Sequence, residues 1–140
     1  MKDILYTSVV GSLMYAQVCT RPDISFVVGM LGRYQSNPCL DHCRDANKVL
    51  RYLQGTKDYM LTYKQSDDLE FICYSNSDFV VCVDSQKSTS AYIFMLVGEA
   101  ISWRSSKQTL VTTSIMDVEF VSCFEDTSHV CMVKEFYFWT

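Results

Sequence analysis

Thr89-Ser-Ala-Tyr-Ile-Phe-Met-Leu-Val97, then Gly98-Glu99, then Ala100-Ile-Ser-Trp-Arg104 is the stretch on which the fold turns. Both flanks are rich in β-branched and aromatic residues, the types that suit a pleated, half-buried surface. The two residues between them place Gly first, which suits a type II′ hairpin turn. Working outward, Leu69 to Ser75 is a mostly apolar run, and Tyr59, Leu61 and Tyr63 alternate with other residues. Both patterns predict strands. Gln108 to Thr113 predicts a last strand. Ser114 then caps a helix to about Thr127, with Asp117 at the third position of a pair resembling a capping box.

The first half of the chain has a helical period instead. Ile4 to Cys19 is apolar with Ser and Gly interruptions. In Thr20-Arg21-Pro22-Asp23, Thr20 suits a cap, Pro22 a first turn, and Asp23 the positive end of a helix. Ile24, Val27, Val28 and Leu31 then fall on one face, and Asn37-Pro38 stops that helix. A third helix begins near Asp41, buries Ala46, Val49, Leu50 and Leu53, and ends at Gly55. The reading is α/β in the α+β sense, with helices first and a sheet with its helix second.

Composition narrows the function classes. The chain has 140 residues, nearly half of them apolar and a fifth charged, which is a globular balance. A formal charge of −4 and a pI near 5.0 argue against a surface built solely to track phosphates. Seven cysteines at irregular spacings, with no secretory signal before them, predict a reducing interior: cytoplasmic or nuclear. No apolar run approaches the ~20 residues of a membrane span, so no membrane partner is expected.

Specific strings say more than the order of elements. Tyr6-Thr-Ser-Val-Val-Gly-Ser-Leu-Met-Tyr15, Cys19-Thr-Arg-Pro-Asp-Ile24 and Asn47-Lys-Val-Leu-Arg-Tyr-Leu-Gln-Gly-Thr56 resemble the segment that closes the reverse transcriptase of copia-type LTR retrotransposons. Tyr74-Ser-Asn-Ser-Asp-Phe79, Asp84-Ser-Gln-Lys-Ser-Thr-Ser90, Ala100-Ile-Ser-Trp-Arg-Ser105-Ser-Lys-Gln108 and Val118-Glu-Phe120 resemble the opening of their RNase H domain. The resemblance covers roughly residues 6 to 132. It implies three parts: a helical, connection-like end of reverse transcriptase over 1–57, a truncated RNase H-like domain over 58–132, and a divergent tail over 133–140. The implied fold is an incomplete RNase H-like mixed sheet with its first helix.

The resemblance also implies a chemistry. Such a domain cuts the RNA strand of an RNA–DNA hybrid with two Mg²⁺ ions about 3.5–4 Å apart, held by carboxylates because Mg²⁺ prefers anionic oxygens. The first carboxylate, an Asp in a Tyr-Ser-Asp-x-Asp pattern, falls on Asn76, and the second falls on Glu119. Asn76 offers only a neutral carbonyl oxygen. Asp78 lies two residues on, so its carboxylate is ~6–7 Å along a strand from the required place. The other two carboxylates would follow the end of this chain. Glu119 and Asp78 are thus vestigial metal positions, and no hydrolysis is expected.

Other departures point to drift. Where the family has Gly, this chain has Cys39, Val81, Ala91 and Glu99; where it has Trp, this chain has Cys43 and Cys131; Asp117 replaces a Glu. Each is a change that one base substitution makes. Lost turn glycines strain loops by roughly 1 kcal/mol each.

Plain readings stand beside the sharp ones. Cys39-Leu-Asp-His42-Cys43 has metal-ligand types, but a zinc site wants four ligands and no second cluster with His is present, so chance placement at a helix start is the reading kept. Cys73, Cys82 and Cys123 read as small buried residues, and His129 as a helix residue with no fixed partner. Glu119 is a solvated helix residue on spacing alone and a metal ligand on resemblance. Lys87, Ser88, Arg104 and Lys107 either touch a nucleic-acid backbone or form ordinary solvated surface. An exposed edge on a truncated sheet predicts self-association. Three functions therefore compete: an inactive relic, a binding module for hybrids or a polypeptide, and a nuclease using Asp78 and Glu119.

Overall fold

Tyr6, Val10 and Leu13 recur at helical spacing and are almost wholly buried, which sets one face of α1 (Lys2–Thr20) toward a core. The structure, a computed structural model, describes residues 2–65, 67, 70–78, 87–111 and 114–138, with the backbone alone at 2–4, 134 and 136–138. Leu69, Phe79, Val81, Cys82, Asp84 to Gln86, Thr112 and Thr113 lie outside the described residues. The chain divides into two compact units, Met1–Tyr63 and Lys64–Thr140.

In the first unit α1 packs with a 3₁₀ turn (Pro22–Ile24), α2 (Ser25–Gly32) and α3 (Leu40–Gly55). Ile24, Val28, Leu31, Ala46 and Val49 join the α1 residues in one core, with Val27 and Leu53 packed against it. Each of the larger of these side chains is worth roughly 1.5–3 kcal/mol when fully removed from water. Leu50, expected in this stripe, is 39 % exposed. The Tyr6 hydroxyl donates to the Leu31 carbonyl oxygen at 2.8 Å, so its one polar atom is satisfied inside the core.

Local chemistry differs from expectation at two helix ends. Thr20 is the last residue of α1 and caps nothing; Arg21 takes the cap position, with no side-chain cap bond. Pro22 and Asp23 do stand in the first turn, as expected, and Asp23 also answers a partner. Arg21, 9 % exposed, grips it with two bonds of 3.0 and 2.7 Å and reaches the Thr56 carbonyl and hydroxyl at 3.2 and 2.6 Å. Tyr52 donates to the same carboxylate at 2.7 Å and lies under the guanidinium. Helix α2 stops at Gly32, short of Asn37-Pro38, in a run of turns over 33–36. At α3 the His42 ring accepts the Cys39 backbone N–H at Nδ1 (3.1 Å) and stacks on Tyr34. That bond gives His42 a capping role at the start of α3.

The second unit is a three-stranded antiparallel sheet, β1 (Phe71–Asp78), β2 (Thr89–Leu96) and β3 (Glu99–Lys107) in that spatial order, crossed by α4 (Ile115–Phe138). Tyr59, Leu61 and Tyr63 form no strand; none of the strands among the described residues pairs with them. Gln108 leaves the sheet, so the strand expected from there is replaced by a two-residue extension of β3 past Ser105 and a bend. Gln108 is instead 1 % exposed, donating to Ser90 Oγ and the Val118 carbonyl at 2.8 and 3.0 Å. The Ser114 hydroxyl accepts the Asp117 N–H at 3.2 Å, as the cap pattern predicts. Helix α4 runs on through the tail expected to diverge, to Phe138 rather than Thr127. Among the described residues no helix is long and apolar enough to cross a membrane.

The hairpin turn sits one residue earlier than expected. Leu96 pairs with Glu99, leaving Val97 and Gly98 as the turn, with φ of 54° and 78°. Positive φ at both positions is the type I′ pattern, whose twist matches the strands. Ile101 is the extra residue where the register shifts between Phe94 and Met95. A β-branched residue in the left-handed region costs about 1–2 kcal/mol.

Two outcomes follow from these features. Val97→Asn should stabilise the chain by about 1 kcal/mol in urea unfolding, because Asn tolerates that backbone. Arg21→Met should cost about 2 kcal/mol at neutral pH, less than for a fully buried pair because Asp23 keeps a third of its side chain in water. The Arg21 hydrogen bonds hold the Asp23 carboxyl below its ordinary pKa of 3.8, against the opposing pull of burial. Its contribution is present above that value and lost as pH falls through the lower folded one. Parent and variant stabilities should therefore converge in strong acid.

Candidate functional site

The orientation of β1 decides what the sequence-predicted site can be. Directly paired residues of antiparallel strands share a sheet face, and neighbours along a strand alternate. The Ser75 hydroxyl donates to the Asp126 carboxylate on α4 and lies 3.2 Å from Ser122 Oγ, so Ser75 faces the helix. Its partners in register, Tyr92 and Arg104, belong to that face. The register runs unbroken from Phe71 to Asp78. Asn76 and Asp78 flank Ser75 and Ser77 out of phase, which places Asn76, and Asp78 with it, on the face away from α4.

Glu119 stands on α4. Its neighbour Val118 is 1 % exposed and packs inward, whereas Glu119 is turned about 100° around the helix and is exposed. The structure thus keeps Asn76 and Asp78 on one side of the sheet and Glu119 on the other. A pair of Mg²⁺ ions would find one neutral amide, and two carboxylates on opposite sides. These residues do not fit it. Among the described residues, no three His, Cys, Asp or Glu side chains are gathered as a metal site.

The four positions expected to meet nucleic acid also separate. Ser88 is 3 % exposed, and its carbonyl accepts the Gln108 N–H at 2.9 Å. The Lys87 ammonium is tied to the Thr109 carbonyl at 2.7 Å. Arg104 and Lys107 are exposed on β3. Of the cysteines read as buried, Cys73 and Cys123 are exposed.

The structure brings together a different group. A cavity of about 310 Å³ lies between β2, β3 and α4, lined among others by Tyr92, Arg104, Lys107, Phe124, Asp126 and His129. Asp126 is 4 % exposed. Ser75 and Ser122 both bond its Oδ2, the latter at 3.4 Å. Burial pushes its carboxyl above the ordinary value, with the two hydroxyls and nearby His129 opposing. His129 lies against Tyr92, ring centroids 5.4 Å apart, and Tyr92 stacks on Phe94 at 4.6 Å. Beside them Thr109 Oγ1 reaches Glu125 at 3.4 Å. Val118, Ser122 and Asp126 fall at i, i+4 and i+8, so helical spacing was the one signal that could have marked Asp126 as inward-facing.

Because burial raises the Asp126 pKa, its proton stabilises the fold fully below pH 3.8, and that stability is lost as pH rises through the folded value. Asp126→Asn should therefore gain on the parent as pH rises from acid and level off above the folded pKa. Urea unfolding across pH 3–8 checks this.

Comparison with known proteins places the chain. It is 41 % identical over 127 residues to secreted RxLR effector protein 161 of Plasmopara viticola, covering 91 % of this chain and 89 % of that protein. It is 38 % identical over 136 residues to the retrovirus-related Pol polyprotein from transposon TNT 1-94 of Nicotiana tabacum, covering 97 % of this chain and 10 % of the polyprotein. The Pol polyprotein from transposon RE2 of Arabidopsis thaliana is also 38 % identical, over 125 residues that make up 89 % of this chain and 8 % of the polyprotein. The chain thus spans about a tenth of the polyproteins it matches. No family model matches, and no solved structure does. With long matches to several such polyproteins, the chain belongs to the retrotransposon Pol polyprotein family and corresponds to a short stretch of it.

Proposed function

We propose that this chain is a relic of a copia-type Pol polyprotein that no longer cleaves RNA–DNA hybrids. Its first unit corresponds to the end of reverse transcriptase and its second to the opening of an RNase H domain. One observation supports the reading: Asn76, which the resemblance aligns with the first carboxylate, is neutral, and strand alternation sets Asp78 on the sheet face opposite the helix that bears Glu119. Mg²⁺ catalysis of this type needs several anionic oxygens in one place. Restoring one charge does not assemble them.

The purified chain, with its folding verified by circular dichroism, should leave a labelled RNA–DNA hybrid uncut in Mg²⁺ and in Mn²⁺. Asn76→Asp should leave it uncut as well. Metal-dependent cutting that disappears in Glu119→Gln would overturn the proposal.

A second reading, retention of a non-cutting grip on nucleic acid, is favoured by Arg104 and Lys107, which stand exposed on β3. Two phosphate contacts give a shallow dependence of hybrid affinity on salt. Position β1 at a sheet edge also supports self-association through the Ile72 to Asp78 backbone.

A further inference from the structure

Helix α4 has a second ordered face that the sheet does not use. Val118, Ser122 and Asp126, each 4 % exposed or less, turn toward the sheet. On the far side of the helix Met116, Phe120 and Phe124 are 79, 73 and 68 % exposed. Thr127 and Cys131 continue their line and are exposed too. The intervals along it are four, four, three and four residues, the spacing of the seam that one helix presents to another. At ~1.5 Å per residue the line runs ~22 Å. Two aromatic rings and a methionine left in water side by side form the kind of patch that marks an interaction surface. A helix that is apolar away from its core as well as toward it is covered on both sides when its assembly is complete.

Charge decides what covers it. By sequence α4 carries five acids, Asp117, Glu119, Glu125, Asp126 and Glu135, and one base, Lys134. Asp117 and Glu135 both stand about 60° round the helix from Phe120, along one flank of the seam, and Glu119 stands about 100° away on the other. All three are exposed. Two copies laid seam to seam would crowd like charges together, and an anionic lipid surface would be repelled. A helix with an apolar stripe between lysine or arginine flanks answers both the rings and the acids. We propose that the outer face of α4 is a docking seam for a cationic amphipathic helix of a partner polypeptide. The partner's apolar stripe lies along Met116, Phe120 and Phe124, and its basic flank meets Asp117 and Glu135. The inference does not depend on the relic reading, since docking on this face holds whether or not the chain cuts a hybrid.

The test is fluorescence anisotropy of three labelled peptides of about five helical turns, titrated with the full chain. The first has leucines at alternating intervals of three and four and lysines elsewhere. The second replaces every lysine by glutamate, and the third scrambles the order of the first. The lysine peptide should bind saturably, one to one, and about tenfold more tightly than either of the others. Its advantage over the glutamate peptide should narrow as salt is raised, whereas its advantage over the scrambled one should persist. Phe120→Ala and Phe124→Ala should each weaken it about tenfold. Both positions are exposed, so urea unfolding of these variants should match the parent. Asp117→Asn combined with Glu135→Gln should weaken the lysine peptide about threefold and leave the glutamate peptide no weaker. Absence of saturable binding, equal binding of the scrambled peptide, or affinity unmoved by both phenylalanine variants would overturn the proposal. So would a dimer in sedimentation that Phe120→Ala dissolves, which would give the seam to a second copy. Phe120-dependent binding to neutral phosphatidylcholine vesicles would overturn it in favour of a lipid surface.

Discussion

A buried carboxylate held by hydroxyls from two elements sets the geometry of the second unit. Asp126 on α4 meets Ser75 on β1 and Ser122 one helical turn earlier. Once Ser75 faces the helix, the pleat leaves no choice for its neighbours. Tyr92 and Arg104 follow it in register on β2 and β3, and Asn76 and Asp78 are sent to the other face. The placement of Asn76 and Asp78 on the face away from α4 follows from that one contact. A buried acid is costly unless it is hydrogen-bonded, so the contact also constrains which residues can stand opposite it.

The first unit depends on a comparable arrangement with charges. Arg21 joins Asp23 in the 3₁₀ turn to Thr56 at the end of α3, with Tyr52 closing the ring of contacts. The Thr-Arg-Pro-Asp string is thus an ion pair that pins two segments 35 residues apart. Pro22 and Asp23 also stand in the first turn of the helix, while Thr20 ends α1 and caps nothing. A carboxylate near a helix start gains a few tenths of a kcal/mol from the dipole, whereas two bonds from a nearly buried guanidinium outweigh that.

Motif survival and site survival are different things in this chain. The strings around Tyr74, Trp103 and Glu119 still mark its family, because they are read one residue at a time. A metal site is read by distance and charge among residues far apart in sequence. Asn76 carries no charge, and Asp78 and Glu119 lie on opposite sides of the sheet. Val97 and Glu99 show the same separation at the hairpin: a left-handed valine remains where the turn needs an easier residue, and the turn still forms because the strand pairs on either side demand it.

Helical period in the first half, strand-rich runs in the second, the Ser114 cap and the family were legible in the residues themselves, since each depends on neighbours a few positions away. Tyr59 to Tyr63 misled for the same reason: alternation is local, but a strand exists only with a partner. The turn moved to Val97-Gly98 because cross-strand register, not turn propensity, chose it. Likewise the stripe of Val118, Ser122 and Asp126 announces a buried face without saying what covers it. Only the tertiary structure decided that Ser75 meets Asp126, that Ser88 is buried and Arg104 is not, and that Asp78 and Glu119 lie on opposite sides of a sheet. Periodicity determines which residues share a face, but the contact that covers one face comes from residues far away in the chain.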